Sequence, residues 1–136
     1  MTGCKKIIVV DDDRDLCDII YDIITDKGYC VDKAYDGESA LQELANKLYD
    51  LLIIDHKLGK ISGINVIENS KTVQPNLQTI MISAFGNDET RSKAVELGVL
   101  DFIDKPFDIG ALVERVDQIV YKELQDNRTY TNTKPI

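Results

Sequence analysis

At 136 residues the chain has room for one domain with a single core, large enough to stand without disulfides or a structural metal. Its 24 acidic residues against 16 basic ones give a net charge of −8 and a pI near 4.6, so the surface repels nucleic acid and anionic membrane and direct DNA contact is not expected. No apolar run approaches the roughly 20 residues of a membrane span, and no positively charged start precedes a long apolar stretch, so a soluble protein is expected. The three cysteines, Cys4, Cys17 and Cys30, lack metal-ligand spacing, and two of them fall in expected elements where a small buried thiol is common. That usage fits a reducing, cytoplasmic setting.

The first apolar run, residues 7–10, reads as a strand and ends on Asp11-Asp12-Asp13. Leu16, Ile19, Ile20, Ile23 and Ile24 then recur at helical spacing, and Gly28 sits where a helix end wants a left-handed residue. A weaker strand is expected over 30–35. After it Asp36-Gly37 opens a helix buried through Ala40, Leu41, Leu44 and Leu48. Residues 50–54 form the most apolar strand and run into Asp55. A helix over about 63–73 precedes Pro75, and a fourth strand over 78–83 ends on Ser83. Residues 87–97 read as a helix with a thin apolar face, closed by Gly98. The fifth strand, 100–104, runs into Lys105-Pro106, and Asp108 caps a last helix with the stripe Leu112, Val113, Val116, Ile119 and Val120. The expected domain covers residues 5–122, and 123–136 read as a polar, flexible tail. Strands alternating with helices give an α/β fold whose parallel sheet is covered on both faces. In such sheets the working groups gather at the carboxyl ends of the strands, where this chain places carboxylates, one hydroxyl and one ammonium.

These residues resemble the receiver domain of two-component response regulators, the family of the chemotaxis-regulator-like fold. The resemblance rests on Val9-Val10-Asp11-Asp12-Asp13, on Asp55 followed at a distance by Gly63, on Ser83-Ala84, and on Phe102 three residues before Lys105-Pro106-Phe107. It implies a five-stranded parallel sheet in the order 2-1-3-4-5, doubly wound by five helices. One departure stands out: the usual Pro-Gly after the central aspartate is Gly59-Lys60 here, and a common acidic position is Ser62. The resemblance also implies Asp55 as the phosphorylated residue, with Mg2+ held by Asp12, Asp55 and the backbone carbonyl of Lys57 and, through water, by Asp11. Lys105 and Ser83 would contact the phosphoryl group, Ser83 and Phe102 would form the switch, and the Lys105-Pro106 bond, frequently cis in this family, stays open here.

The chemistry can be argued without the family. A carboxylate is a competent nucleophile toward phosphorus, but it must meet an anionic donor, so positive charge has to be supplied. Two like charges 4 Å apart repel by roughly 4 kcal/mol at an effective dielectric near 20, so clustered Asp11, Asp12 and Asp55 call for a cation such as Mg2+. Lys105 suits the phosphoryl oxygens as a point charge and Ser83 as a hydrogen-bond donor. Taken singly, Asp11, Asp12 or Asp13 has about even odds of being only a helix cap, the role assigned to Asp13. Asp55 follows four apolar residues, where an unpaired carboxylate costs several kcal/mol, so a bland role needs a partner the motif does not supply. A serine or phenylalanine at a strand end is commonly core or turn, which leaves Ser83 and Phe102 resting on the resemblance.

His56, the single histidine, invites a catalytic role that we decline, because neighbours leaving a strand point to opposite sides. Gly59-Lys60-Ile61-Ser62 imitates the end of a phosphate-binding loop, but the required upstream glycine is Ile54. Phosphohydrolases with the same aspartyl chemistry need a second aspartate where this chain has Lys57. The reading is thus a phosphoacceptor signalling domain, not an enzyme in the usual sense. It takes phosphate from a histidine kinase or histidine phosphotransfer protein and reshapes the face of its fourth helix, fifth strand and fifth helix for an effector protein or output domain, as a monomer or a phosphorylation-dependent dimer. Two alternatives are an N-terminal regulatory part of a longer transcription factor and a non-phosphorylated interaction module; the intact Asp55, Ser83 and Lys105 set argues against the latter. Lys57 and Phe85 flank the approach to Asp55 without an acidic or amide group to orient water, which predicts slow decay of the phosphorylated form.

Overall fold

The computed structural model describes residues 4–83 and 88–121. Ten elements alternate along the chain: β1 Lys6–Val10, α1 Arg14–Asp26, β2 Cys30–Ala34, α2 Gly37–Asn46, β3 Leu51–Asp55, α3 Gly63–Val73, β4 Gln78–Ser83, α4 Asp88–Glu96, β5 Asp101–Asp104 and α5 Ile109–Val120. The strands form one parallel sheet in the order β2-β1-β3-β4-β5, as expected. None of the helices among the described residues is long and apolar enough to cross a membrane.

The two-residue period of a strand divides the core in two. Ile7, Val9, Leu51, Ile53, Ile80 and Ile82 point to the face covered by α1 and α5, where they meet Ile20, Ile24, Leu112 and Val116. Ile8, Val10, Leu52, Ile54 and Met81 point to the other face, under α2, α3 and α4, and meet Leu44, Val66, Ile67 and Ala94. Because both faces are covered, the central strands read as unbroken apolar runs. Helix starts follow their caps: Asp13 accepts from the Leu16 N–H, Asp36 from Ser39 and Asp108 from Gly110. Gly28 and Gly98 take positive φ, 103° and 86°, where α1 and α4 end.

Three expectations need correction. Leu48 is 77% exposed, because α2 ends at Asn46 and Lys47 turns extended, so the helical spacing that placed Leu48 beneath Leu44 does not continue; Tyr49 enters the core instead. Ile19 is 45% exposed on α1, whose buried stripe is Cys17, Ile20 and Ile24. Cys30 is not a small buried thiol. It opens edge strand β2 on the surface and is joined to Cys4 by a disulfide, with Cα atoms 5.8 Å apart, because the parallel register sets Lys6 opposite Cys30 and so draws Cys4 alongside. Cys17 is the buried free thiol. The expected tail over 123–136 lies outside the described residues, as does Phe85.

Candidate functional site

Strand register assembles the site. Val10 lies opposite Ile54, so Asp11 and Asp55 leave the sheet side by side, and Asp55 itself pairs with Ile82. Backbone bonds carry the ladder past the strand ends: Asp11 N–H to Ala34 O, His56 N–H to Ile82 O, and Lys105 N–H to Ser83 O. Alternation then sorts the side chains. Asp11, Asp55 and Lys105 continue the row of Val9, Ile53 and Ile103, whereas Ser83 and Phe102 continue the row of Met81 on the face that α4 covers.

Asp11 and Asp55 are 1% and 6% exposed, while Asp12 is open to solvent. One oxygen from each of the three carboxylates lies within 4.8 Å of the others, a group able to hold a metal ion. Asp11 is held on both oxygens: Oδ1 accepts the Asp13 N–H at 2.9 Å, and Oδ2 is ion-paired to Lys105 Nζ at 3.1 Å. The same Nζ lies 3.4 Å from Asp55 Oδ2. Burial and the charge of Asp11 push the Asp55 carboxyl up to about 6, against the pull of Lys105. Lys105 is itself raised by Asp11 and Asp55, which outweigh the opposing desolvation. Three carboxylates against one ammonium leave the ionised cluster with two surplus negative charges, repelling by about 3 kcal/mol per pair at this range. A divalent cation coordinated by oxygen fits that donor set.

Ser83 is 3% exposed, and its Oγ finds no hydrogen-bond partner among the described residues. A buried hydroxyl left without a partner costs free energy and is satisfied by an acceptor arriving beside it. Lys57 stands exposed on the loop leaving β3, and the Lys105-Pro106 bond is cis. His56 is half-buried, and its Nδ1 has no partner among the described residues.

Other residues support the site in ways the sequence reading did not assign. Ser62 caps α3 in a reciprocal box with Asn65, so the serine at the usual acidic position builds the helix start. Gly63 presses against the chain behind Asp55: a Cβ there would sit 2.4 Å from the Asp55 carbonyl oxygen. Arg91 of α4 pairs with Asp104 at 2.8 Å and lies 5.0 Å over the ring of half-buried Phe102. The Ser-x-x-Asn spacing was a readable signal for the first; the Arg91 contacts depend on how α4 meets β5.

A family model described as the response regulator receiver domain matches residues 7–117. The chain belongs to this family. The receiver is 33% identical over 116 residues to the transcriptional regulatory protein ZraR of Salmonella typhimurium, covering 85% of this chain and 26% of that protein. It is 32% identical over 111 residues to DltR of Streptococcus agalactiae, another transcriptional regulatory protein, covering 82% and 50%. The receiver therefore spans a quarter to a half of these relatives' length. Among solved structures, the Francisella response regulator 1452 receiver domain is 29% identical with a TM-score of 0.79, covering 88% of this chain and 98% of that one. A CheY-like receiver from Methanospirillum hungatei shares the fold at a TM-score of 0.87 and 24% identity, covering 91% and 99%.

Proposed function

We propose that this receiver accepts a phosphoryl group on Asp55 from a phosphohistidine of a histidine kinase or phosphotransfer protein, and signals by reshaping the face of α4, β5 and α5. The observation that carries this reading is one buried carboxylate, Asp55, flanked by two further carboxylates and reached by Lys105 at 3.4 Å. Mg2+, held by Asp12, Asp55 and the Lys57 carbonyl and through water by Asp11, would supply the positive charge that lets an anionic donor approach. Asp55 attacks phosphorus and the donor imidazole leaves. Lys105 then pairs with a phosphoryl oxygen, and Ser83 donates its unpartnered hydroxyl to another. As Ser83 is drawn in, Phe102 follows on the same face, and α4 is free to shift.

A structural relative from Burkholderia pseudomallei was solved with a phosphorylated aspartic acid and a calcium ion, which supports the chemistry proposed here. Matches to transcriptional regulators support a transcription-controlling output as the downstream partner, whether attached or separate. Residues 5–122 would then be the phosphoacceptor unit, working in the cytoplasm. The test is labelling with a small acyl phosphate and magnesium: wild type gains one phosphoryl mass and Asp55→Asn gains none. Undiminished labelling of Asp55→Asn would transfer the nucleophile's role to another carboxylate.

A further inference from the structure

The sulfur pair sits at the amino-terminal edge of the sheet, opposite the edge that carries Asp55. Cys4 precedes β1 and Cys30 opens β2, the outermost strand, and both residues are exposed. Backbone pairing as well as the bond brings them together. The Cys30 N–H donates to Lys5 O at 2.9 Å, and Lys6 pairs with Cys30 across the ladder, which sets the two Cα atoms within disulfide reach. Cys30 also lines a depression of about 330 Å³ with Lys6, Tyr21, Tyr29, Asp32 and Lys47, where Lys47 is ion-paired to Asp32 at 3.2 Å and to Glu43 at 3.5 Å. Lys6, opposite Cys30 in the ladder, is the lining ammonium with no ion pair among the described residues, and an ammonium beside a thiol favours its thiolate and an anionic visitor. Cys17, by contrast, is shut in the core, and burial pushes its thiol up to about 11.

We propose that Cys4 and Cys30 form a thiol–disulfide exchange site for small anionic disulfides of the glutathione class. The Cys30 thiolate attacks one sulfur of the oxidised tripeptide, forming a mixed disulfide and releasing one glutathione thiolate. The Cys4 thiolate attacks the Cys30 sulfur, closing the internal disulfide and releasing the second. Two protein thiols are oxidised, one external disulfide is reduced, and the two thiol protons end on two reduced glutathiones. Closure staples the start of β1 to β2 across the 26-residue separation that contains α1.

The experiment takes the reduced 136-residue chain through buffers of rising oxidised-to-reduced glutathione ratio, followed by acid quench, alkylation and peptide mapping. The expected result is a single Cys4–Cys30 bridge that opens again at the reducing end, with Cys17 alkylated only after unfolding. Cys4→Ser, a near-isosteric change, should stop at the first step and keep one glutathione on Cys30. The bridged protein should melt several degrees above its reduced form, which circular dichroism should show to be folded. Three results would overturn the proposal: both thiols still alkylatable in the most oxidising buffer, a bridge that excess reduced glutathione does not open, or a Cys4→Ser adduct that forms on Cys17 instead of Cys30.

Discussion

The centre of the sheet and its α4–β5 edge are built to different standards. All five residues of β3 are buried, as are Ile7–Val10 of β1, and these strands carry Asp11, Asp12 and Asp55. At the edge, no residue of β5 is fully buried, and among the described residues α4 gives the core only Ala94, while Val95 is 64% exposed. What holds α4 is polar: Arg91 to Asp104, and Lys93 to Glu68 of α3 at 3.5 Å. Under the proposed function, Asp55 as nucleophile and the acidic ligands would need fixed geometry, and they stand on the fully buried strands. Lys105 and Phe102, which would answer a new charge, stand where fewer buried contacts resist motion.

Truncation should expose the contrast most strongly. Ile53→Ala, at the fully buried centre, should cost about 4 kcal/mol in chemical denaturation, and Ile103→Ala, half-buried in β5, about 1–2 kcal/mol. Equal losses would dissolve the distinction. The next effect belongs to Asp55. Its folded carboxyl lies near 6 against an ordinary 3.8, so its contribution is fully present below the ordinary value and is lost as pH rises through about 6. In chelator, wild type should lose about 2 kcal/mol relative to Asp55→Asn between pH 4 and pH 7. Carboxylates whose titration is lowered, such as Asp18, Asp32 and Asp36, act the opposite way but equally in both proteins. Magnesium should recover most of that loss near pH 7, and Asp12→Ala should blunt the recovery.

Lys105→Ala separates chemistry from response. Asp55 should still be labelled in part, because the acidic cluster survives. Amide shifts across α4 and β5 on adding beryllofluoride should shrink, because nothing draws the β5 end toward the phosphoryl position. An unchanged spectrum would remove Lys105 from the response. The smallest stability effect is at Arg91: its pair with Asp104 is exposed, so Arg91→Ala should cost about 0.5 kcal/mol. Faster amide exchange in α4 of this variant than in α4 of wild type, with α3 unchanged, would show that the Arg91 pair restrains this helix.

Much of this was legible in the residues. Strand ends followed from apolar runs ending on Asp11, Asp55, Ser83 and Lys105, helix starts from Asp13, Asp36 and Asp108, and the parallel sheet from the alternation of strands and helices. Leu48 misled because periodicity does not announce that a chain turns extended one residue after Asn46. The Cys4–Cys30 pair was hidden because their neighbourhood depends on the β1–β2 register across 26 residues, and sequence spacing does not encode register. Arg91 escaped for a related reason: its partners Phe102 and Asp104 lie on another element, and α4 has too little apolar patterning to fix its rotation.

The missing carbon at Gly63 has a consequence for anyone who wants to rebuild the molecule. With the first turn of α3 resting on the carbonyl of Asp55, and Gly63 N–H bonded to His56 O at 2.9 Å, the intervening loop is a closed stirrup whose two feet stand on the backbone of Asp55 and His56. Residues added around exposed Gly59 and Lys60 would lengthen the strap and leave the feet planted, so a reporter segment could be grafted there with the acceptor intact. A single methyl at position 63 would lift one foot and tilt the Asp55 carboxylate, though Asp11, Asp12, Ser83 and Lys105 were all still in place.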